Sequence, residues 1–222
     1  MLATPPPAVV AGELIRLQTN QHVVALTFDG GGNAAAAPGI LAALRRNQVP
    51  ATFFLTGHFV RTYPALAHAI GKSFVVGNHT VDHAHLTTLS DTAVTHEIAD
   101  AAALIKNATG RDTHPLFRFP YGDRDARTLE ICHRLGYVSI RWTVDTLGWM
   151  GAPTQTPSAA VQRVVANLAP GEIVLMHMGS AANGTTVDTK ALPGVIRAIR
   201  ARGYQFVTLK DVRGPKLTSV SR

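Results

Sequence analysis

Apolar and polar positions along the chain alternate between two rhythms. Short runs rich in β-branched and aromatic residues, at 23–28, 51–55, 74–76, 116–119, 137–143, 172–176 and 204–208, read as strands. Between them the apolar residues move to helical offsets. Val161, Val164, Val165 and Leu168 share one face, as do Leu192, Val195, Ile196 and Ile199. Ser90 is placed to cap a helix running through Lys106 and Ser158 the helix that follows, while Gly110, Gly136 and Gly203 stand where three helices should stop. Strand, helix, strand is the rhythm of a parallel sheet. About seven such units predict an α/β fold, a distorted and incomplete (β/α) barrel with about seven parallel strands.

The glycines Gly30, Gly31 and Gly32 after the first predicted strand lack both the G-x-G-x-x-G spacing and a G-K-[ST] ending, so no dinucleotide or triphosphate cradle is expected. Three successive prolines near the start favour extended geometry. They predict a linker over residues 1–21, one domain over 22–212 and a tail over 213–222. The first residues carry neither the basic head nor the apolar core of a secretory signal.

Composition narrows the class. The chain has 222 residues, 46% of them hydrophobic, and no apolar run long enough to predict a transmembrane segment. Lys and Arg outnumber Asp and Glu by 21 to 14, a formal +7. Such a charge draws polyanions, an anionic cell wall among them, and serves solubility equally well. Scattered basic residues and few aromatics give no base-stacking groove, so no nucleic-acid partner is expected. One cysteine, Cys132, excludes an internal disulfide and a thiolate metal cluster, and its apolar neighbours predict a small buried hydrophobe.

Candidate chemistry gathers where strands end. Asp29, His79, Arg118, Asp145 and His177 each fall at or just past the C-terminal end of a separate predicted strand, the rim on which barrel enzymes assemble active sites. His79 and His83 are four residues apart, a spacing that puts both imidazoles on one side of a helical turn, able to meet one metal ion that keeps open positions for water. An acid, a cation and imidazoles in one cleft are what amide or ester hydrolysis requires.

The segments Leu26-Thr-Phe-Asp-Gly30, His79-Thr-Val-Asp-His83, Arg118-Phe-Pro-Tyr-Gly122, Val144-Asp-Thr-Leu-Gly-Trp149 and Val174-Leu-Met-His177 resemble, in order, the five motifs of the polysaccharide deacetylases of carbohydrate esterase family 4. The resemblance implies a metal-dependent hydrolase that removes N-acetyl groups from a peptidoglycan-like or chitin-like glycan. It implies Asp29 as general base, Arg118 beside it, His177 as general acid, and His79 and His83 as ligands of a divalent ion, with zinc the expected one. It also implies the Tyr121 backbone at the oxyanion and Trp149 and Leu175 as apolar walls for the sugar and the acetyl methyl. An extracellular or cell-wall location goes with that substrate; the oligomeric state is left open.

Two motifs depart from the family pattern. Gly30 stands where the family has a metal-binding aspartate, and Asn33 and Asp82 are the residues that would stand in for it. Gly148 stands where an aspartate before Trp149 keeps the acidic histidine protonated; either Asp145 takes up part of that task or His177 titrates lower. The lost ligand opens two other readings: a metal-independent cyclic amidase resembling allantoinases, and a glycan-binding module without turnover. His22, His58, His68, His85, His96, His114 and His133 read as surface or packing groups.

Overall fold

A computed structural model of the protein describes residues 13–166 and 168–210. Its strands are β1 (Glu13–Leu14), β2 (Val23–Gly30), β3 (Thr52–Leu55), β4 (Val75–Asn78), β5 (Leu116–Phe117), β6 (Val138–Ile140), β7 (Val144–Asp145), β8 (Glu172–His177) and β9 (Gln205–Val207). Among the described residues they form one nine-stranded sheet in the order β1-β6-β5-β4-β3-β2-β8-β7, with β9 added to the N-terminal half of β2. Every pairing is parallel. The two ends of the strand order, β1 and β7, do not pair, so this is the distorted, incomplete barrel that the alternating pattern predicts. Outside it lie α1 (Ala37–Arg46), α2 (Gly57–Thr62), α3 (Pro64–Ser73), α4 (Asp91–Thr109), α5 (Ala126–Arg134), α6 (Pro157–Ala166) and α7 (Val187–Arg200).

Strand alternation sorts the side chains into two layers. In β2, Val24, Leu26 and Phe28 join the large core that meets the helices through Ile40, Leu44, Val195 and Ile199. Ala25 belongs to a second cluster inside the barrel with Phe54, Leu116, Ile140 and Ile173. Asp29 follows the period of Ala25 and Thr27 and Gly30 follows that of Phe28, so the two neighbours leave the strand on opposite faces. Each fully buried large apolar side chain here contributes about 1.5–3 kcal/mol relative to exposure, which fixes strand register firmly. A slip of one residue would bury the helix-facing phenylalanines in the cleft.

Three expectations need correction. The linker predicted over 1–21 does not extend that far: Glu13 and Leu14 pair with Ser139 and Ile140 of β6, Leu14 and Leu17 are buried, and Arg16 donates to the carbonyls of Ala169 and Pro170. The run 137–143 is one short strand, and β7 follows as a separate strand pairing with β8. Ser158 does not cap α6, because Thr156 Oγ1 accepts the Ala159 N–H at 3.1 Å one residue before Pro157 opens the helix. Ser90 does cap α4, accepting from Ala93, and Gly110 ends that helix four residues beyond Lys106. Cys132 is buried in a cluster with Ile98, Phe117 and Tyr137. The tail expected at 213–222 lies outside the described residues, and no described helix is long and apolar enough to cross a membrane.

Candidate active site

Adjacent strands bring the distant residues together. Asp29 on β2 stands in register with His177 on β8, and Asp145 on β7 with Leu175 on β8. Asn78 on β4 is opposite Phe117 on β5, so His79 and Arg118 leave their strands side by side. Asp29, His79, His83, Tyr121, Trp149 and His177 all border one cleft of about 570 Å³ at the C-terminal rim. Leu175 and Asp145 also line it.

Arg118 lies behind this wall rather than in it. Fully buried, it donates from one terminal nitrogen to Asp29 Oδ1 at 2.6 Å, from Nε to the Ile140 carbonyl at 3.2 Å and from its other nitrogen to the Arg141 carbonyl at 3.3 Å. Its guanidinium also rests on the Phe54 ring, 4.1 Å from the centroid. Burial works against the charge of Asp29, but Arg118 foremost, then His79 and His177, hold the carboxyl below the usual carboxylate range.

The two histidines of the second motif meet without a helix. Residues 79–83 form an irregular loop in which Thr80 and His83 adopt positive φ of 72° and 60°. Asn78 Oδ1 accepts the Thr80 N–H, Thr80 Oγ1 accepts the His83 N–H, and Glu97 Oε2 accepts from both Val81 and Asp82. This scaffold, not helical spacing, puts the ring centroids 4.8 Å apart. His79 Nδ1 donates to the Arg118 carbonyl at 2.7 Å, which leaves Nε2 facing Asp29 Oδ2 at 3.4 Å. Burial lowers both imidazole pKa values, that of His83 to about 4, so both rings are neutral bases near pH 7.

A divalent ion finds an incomplete set here. Catalytic zinc is held by three protein ligands with one open position. A Cβ built at Gly30 would overlap Met178 Cε and lie 3.0 Å from Leu55 Cδ2 and 3.4 Å from Phe59, so the space beside the missing carboxylate is apolar and full. Asn33 borders the cleft, but its Oδ1 already accepts from Ala35 and Ser180, and Asp82 is exposed and outside the cleft lining. Among the described residues no group of three His, Cys, Asp or Glu side chains could hold a metal. His79 and His83 are paired, but the stand-ins expected for Gly30 do not supply a third ligand.

The acid end of the cleft also differs from expectation. Asp145 does not reach His177 by hydrogen bond: its Oδ1 accepts the Leu147 N–H at 2.7 Å and its Oδ2 the Trp149 indole N–H at 3.2 Å, so it positions the aromatic wall. Burial raises its pKa. The carboxylate beside His177 is Asp188 of α7, whose Oδ2 accepts the His177 backbone N–H at 2.7 Å and lies 3.7 Å from ring Nδ1. A quarter of the His177 side chain reaches the cleft. Burial would lower its pKa, but Asp188, Asp29 and Asp145 outweigh that and hold the ring above its ordinary value. The sequence reading missed Asp188, which reads as an ordinary acid in a helix's first turn. It also missed Trp142, which lines the cleft, and the rim position of His85, whose ring stacks on Tyr121 at 4.1 Å while its Nδ1 contacts Asp123 at 2.9 Å.

A parallel barrel with a carboxylate, a buried guanidinium and three imidazoles at one rim defines a class of acid–base hydrolase sites. Residues 16–140 match the polysaccharide deacetylase family, and the chain belongs to that family. It is 28% identical over 210 residues to a chitooligosaccharide deacetylase of Azorhizobium caulinodans, covering 90% of this chain and 99% of that protein. A peptidoglycan-N-acetylglucosamine deacetylase of Listeria monocytogenes is 32% identical over 96% of this chain, which spans 43% of that longer protein. These relatives bear the names of hydrolases that cleave amide bonds. A solved structure of a family 4 carbohydrate esterase pseudoenzyme from Bacillus anthracis superposes with a TM-score of 0.81 at 29% identity, covering 92% of this chain and 71% of that one.

Proposed function

We propose that the protein is an N-deacetylase of N-acetylated glycans, peptidoglycan or chitin-like, working by acid–base catalysis in the rim cleft. The observation that carries this reading is Asp29, fixed from behind by Arg118 and open to the cleft beside His79 and His177. Because His79 Nδ1 donates to a carbonyl, its Nε2 is an acceptor, and Asp29 Oδ2 is a second acceptor 3.4 Å away. Two acceptors facing one point hold a donor. A water there is polarised for attack on the acetamide carbonyl, and Asp29 takes its proton. The carbon–nitrogen bond then breaks as His177, protonated, delivers a proton to the departing sugar amine, leaving acetate and free amine. Tyr121, held at φ 59°, borders the position where the carbonyl oxygen would sit, and Trp149 and Leu175 offer apolar walls to the sugar and the methyl.

Acetate release from an N-acetylglucosamine tetramer and from purified peptidoglycan tests the reading, run with and without chelator. Release that persists in chelator is the outcome the two-histidine set predicts; the absence of any release from either substrate would overturn the proposal. A second reading, glycan binding without turnover, is favoured by the apolar filling beside Gly30 and would appear as tetramer binding with no acetate. An extracellular or wall-facing site of action goes with this substrate class and with the formal charge of +7, and cell fractionation tests it.

A further inference from the structure

We infer that Asp188 is the positioning residue of His177, having taken over from a different element the place of the carboxylate that residue 148 lacks. The inference rests on the proposed role of His177 as the acid.

The two positions compete for one space. A Cβ built at Gly148 would overlap Cγ, Oδ1 and Oδ2 of Asp188, so a side chain at 148 and the present Asp188 carboxylate cannot coexist. The carboxylate is 3% exposed and clamped at both oxygens: Oδ1 accepts from Thr146 Oγ1 at 2.7 Å, and Oδ2 from the His177 N–H at 2.7 Å. Ring Nδ1 of His177 is buried and has no hydrogen-bond partner among the described residues. Asp188 Oδ2 is the carboxylate oxygen paired with it, at an ion-pair distance of 3.7 Å. With Nδ1–H directed at Asp188, Nε2 is the nitrogen that carries the transferable proton into the cleft. The ring also faces Asp29 from β2, Asp145 from β7, and His79 and His83 from the loop after β4, so Asp188 is one of several charges on it but the one aligned with Nδ1.

A purely structural role for Asp188 exists, since an acid in the first turn of α7 complements the helix dipole. Three variants separate the roles: Asp188→Asn, Asp188→Ala, and Gly148→Asp combined with Asp188→Ala. Each is checked for folding by circular dichroism, then followed by kcat and KM across pH on the tetramer and by nitrogen NMR of the His177 ring in the protein alone. Asp188→Asn is expected to lower kcat about tenfold with KM little changed, and to lower the pH at which the ring loses its proton by about one unit. Gly148→Asp added to Asp188→Ala is expected to regain most of the loss, because the carboxylate returns from the other side. A ring titration unchanged in Asp188→Asn, or a double variant no better than Asp188→Ala, would overturn the inference. The NMR reading decides the matter even if the wild type releases no acetate, which would count against the deacetylase reading and not against the pairing.

Discussion

Gly30 and Gly148 make an instructive pair. Both stand where related sequences are expected to carry a carboxylate, and at both the vacated volume is filled from the segment that follows β8. At Gly30 the filler is the Met178 thioether, with Leu55 and Phe59 around it; at Gly148 it is the Asp188 carboxylate. Close packing demands that the space be occupied and is indifferent to what occupies it. Chemistry is not indifferent. The apolar filler keeps the core dense and puts no carboxylate at position 30 beside His79 and His83, whereas the acidic filler keeps a negative charge beside His177. The space beside one glycine is filled in volume only, that beside the other in volume and charge.

Asp29 lies between these two regions and is the base that either arrangement would need. Asp29→Asn is therefore expected to give the largest effect, a loss of about 10²- to 10⁴-fold in kcat, with the tetramer still bound. Full activity in that variant would remove the assignment. The apolar side predicts a different kind of loss. Met178 is fully buried, and Met178→Ala should cost about 2–5 kcal/mol in urea unfolding, while kcat, measured where the protein is folded, changes little. If Met178→Ala instead abolished turnover at unchanged stability, the idea of a chemically inert filler would fail. A third test reverses the replacement. Gly30→Asp combined with Met178→Ala makes room for the carboxylate, and bound zinc, measured by plasma emission after dialysis, should rise towards one ion per chain with affinity stronger by at least about tenfold. Unaltered metal content would mean that the histidine loop, and not the missing ligand, limits binding.

Much of this was legible in the sequence, for physical reasons that also mark where legibility stops. The β-rich runs and helical offsets report burial directly, so the parallel barrel and the rim positions of Asp29, His79, Arg118 and His177 follow from them. Glu13 and Leu14 are too short a run to display a period, and tertiary contacts settle their pairing with β6. The spacing of His79 and His83 fits a helical turn, but spacing alone does not reveal that Thr80 and His83 sit at positive φ. Asp188 carried no local signal at all. Its role is visible only once β8 and α7 fold back against Gly148, although the missing side chain at 148 was itself the hint that some other group must fill the gap.

The finest distinction between the two regions is in their response to pH. His177 has a folded-state pKa above its ordinary value of 6.5. A base whose pKa is raised on folding contributes stability that is fully present below the unfolded value and is lost as pH rises through the folded one. Wild-type protein should therefore lose a little stability as pH rises above the ordinary imidazole value of 6.5, by an amount that shrinks in Asp188→Asn because the carboxylate aligned with ring Nδ1 is gone. Met178→Ala, which removes a side chain of the apolar core, should keep the wild-type slope while lying below it throughout. Urea unfolding at a series of pH values measures both curves. Parallel lines for wild type and Met178→Ala, with a flatter line for Asp188→Asn, are the expected result; the same slope in all three would mean that the acid beside His177 fills space and nothing more.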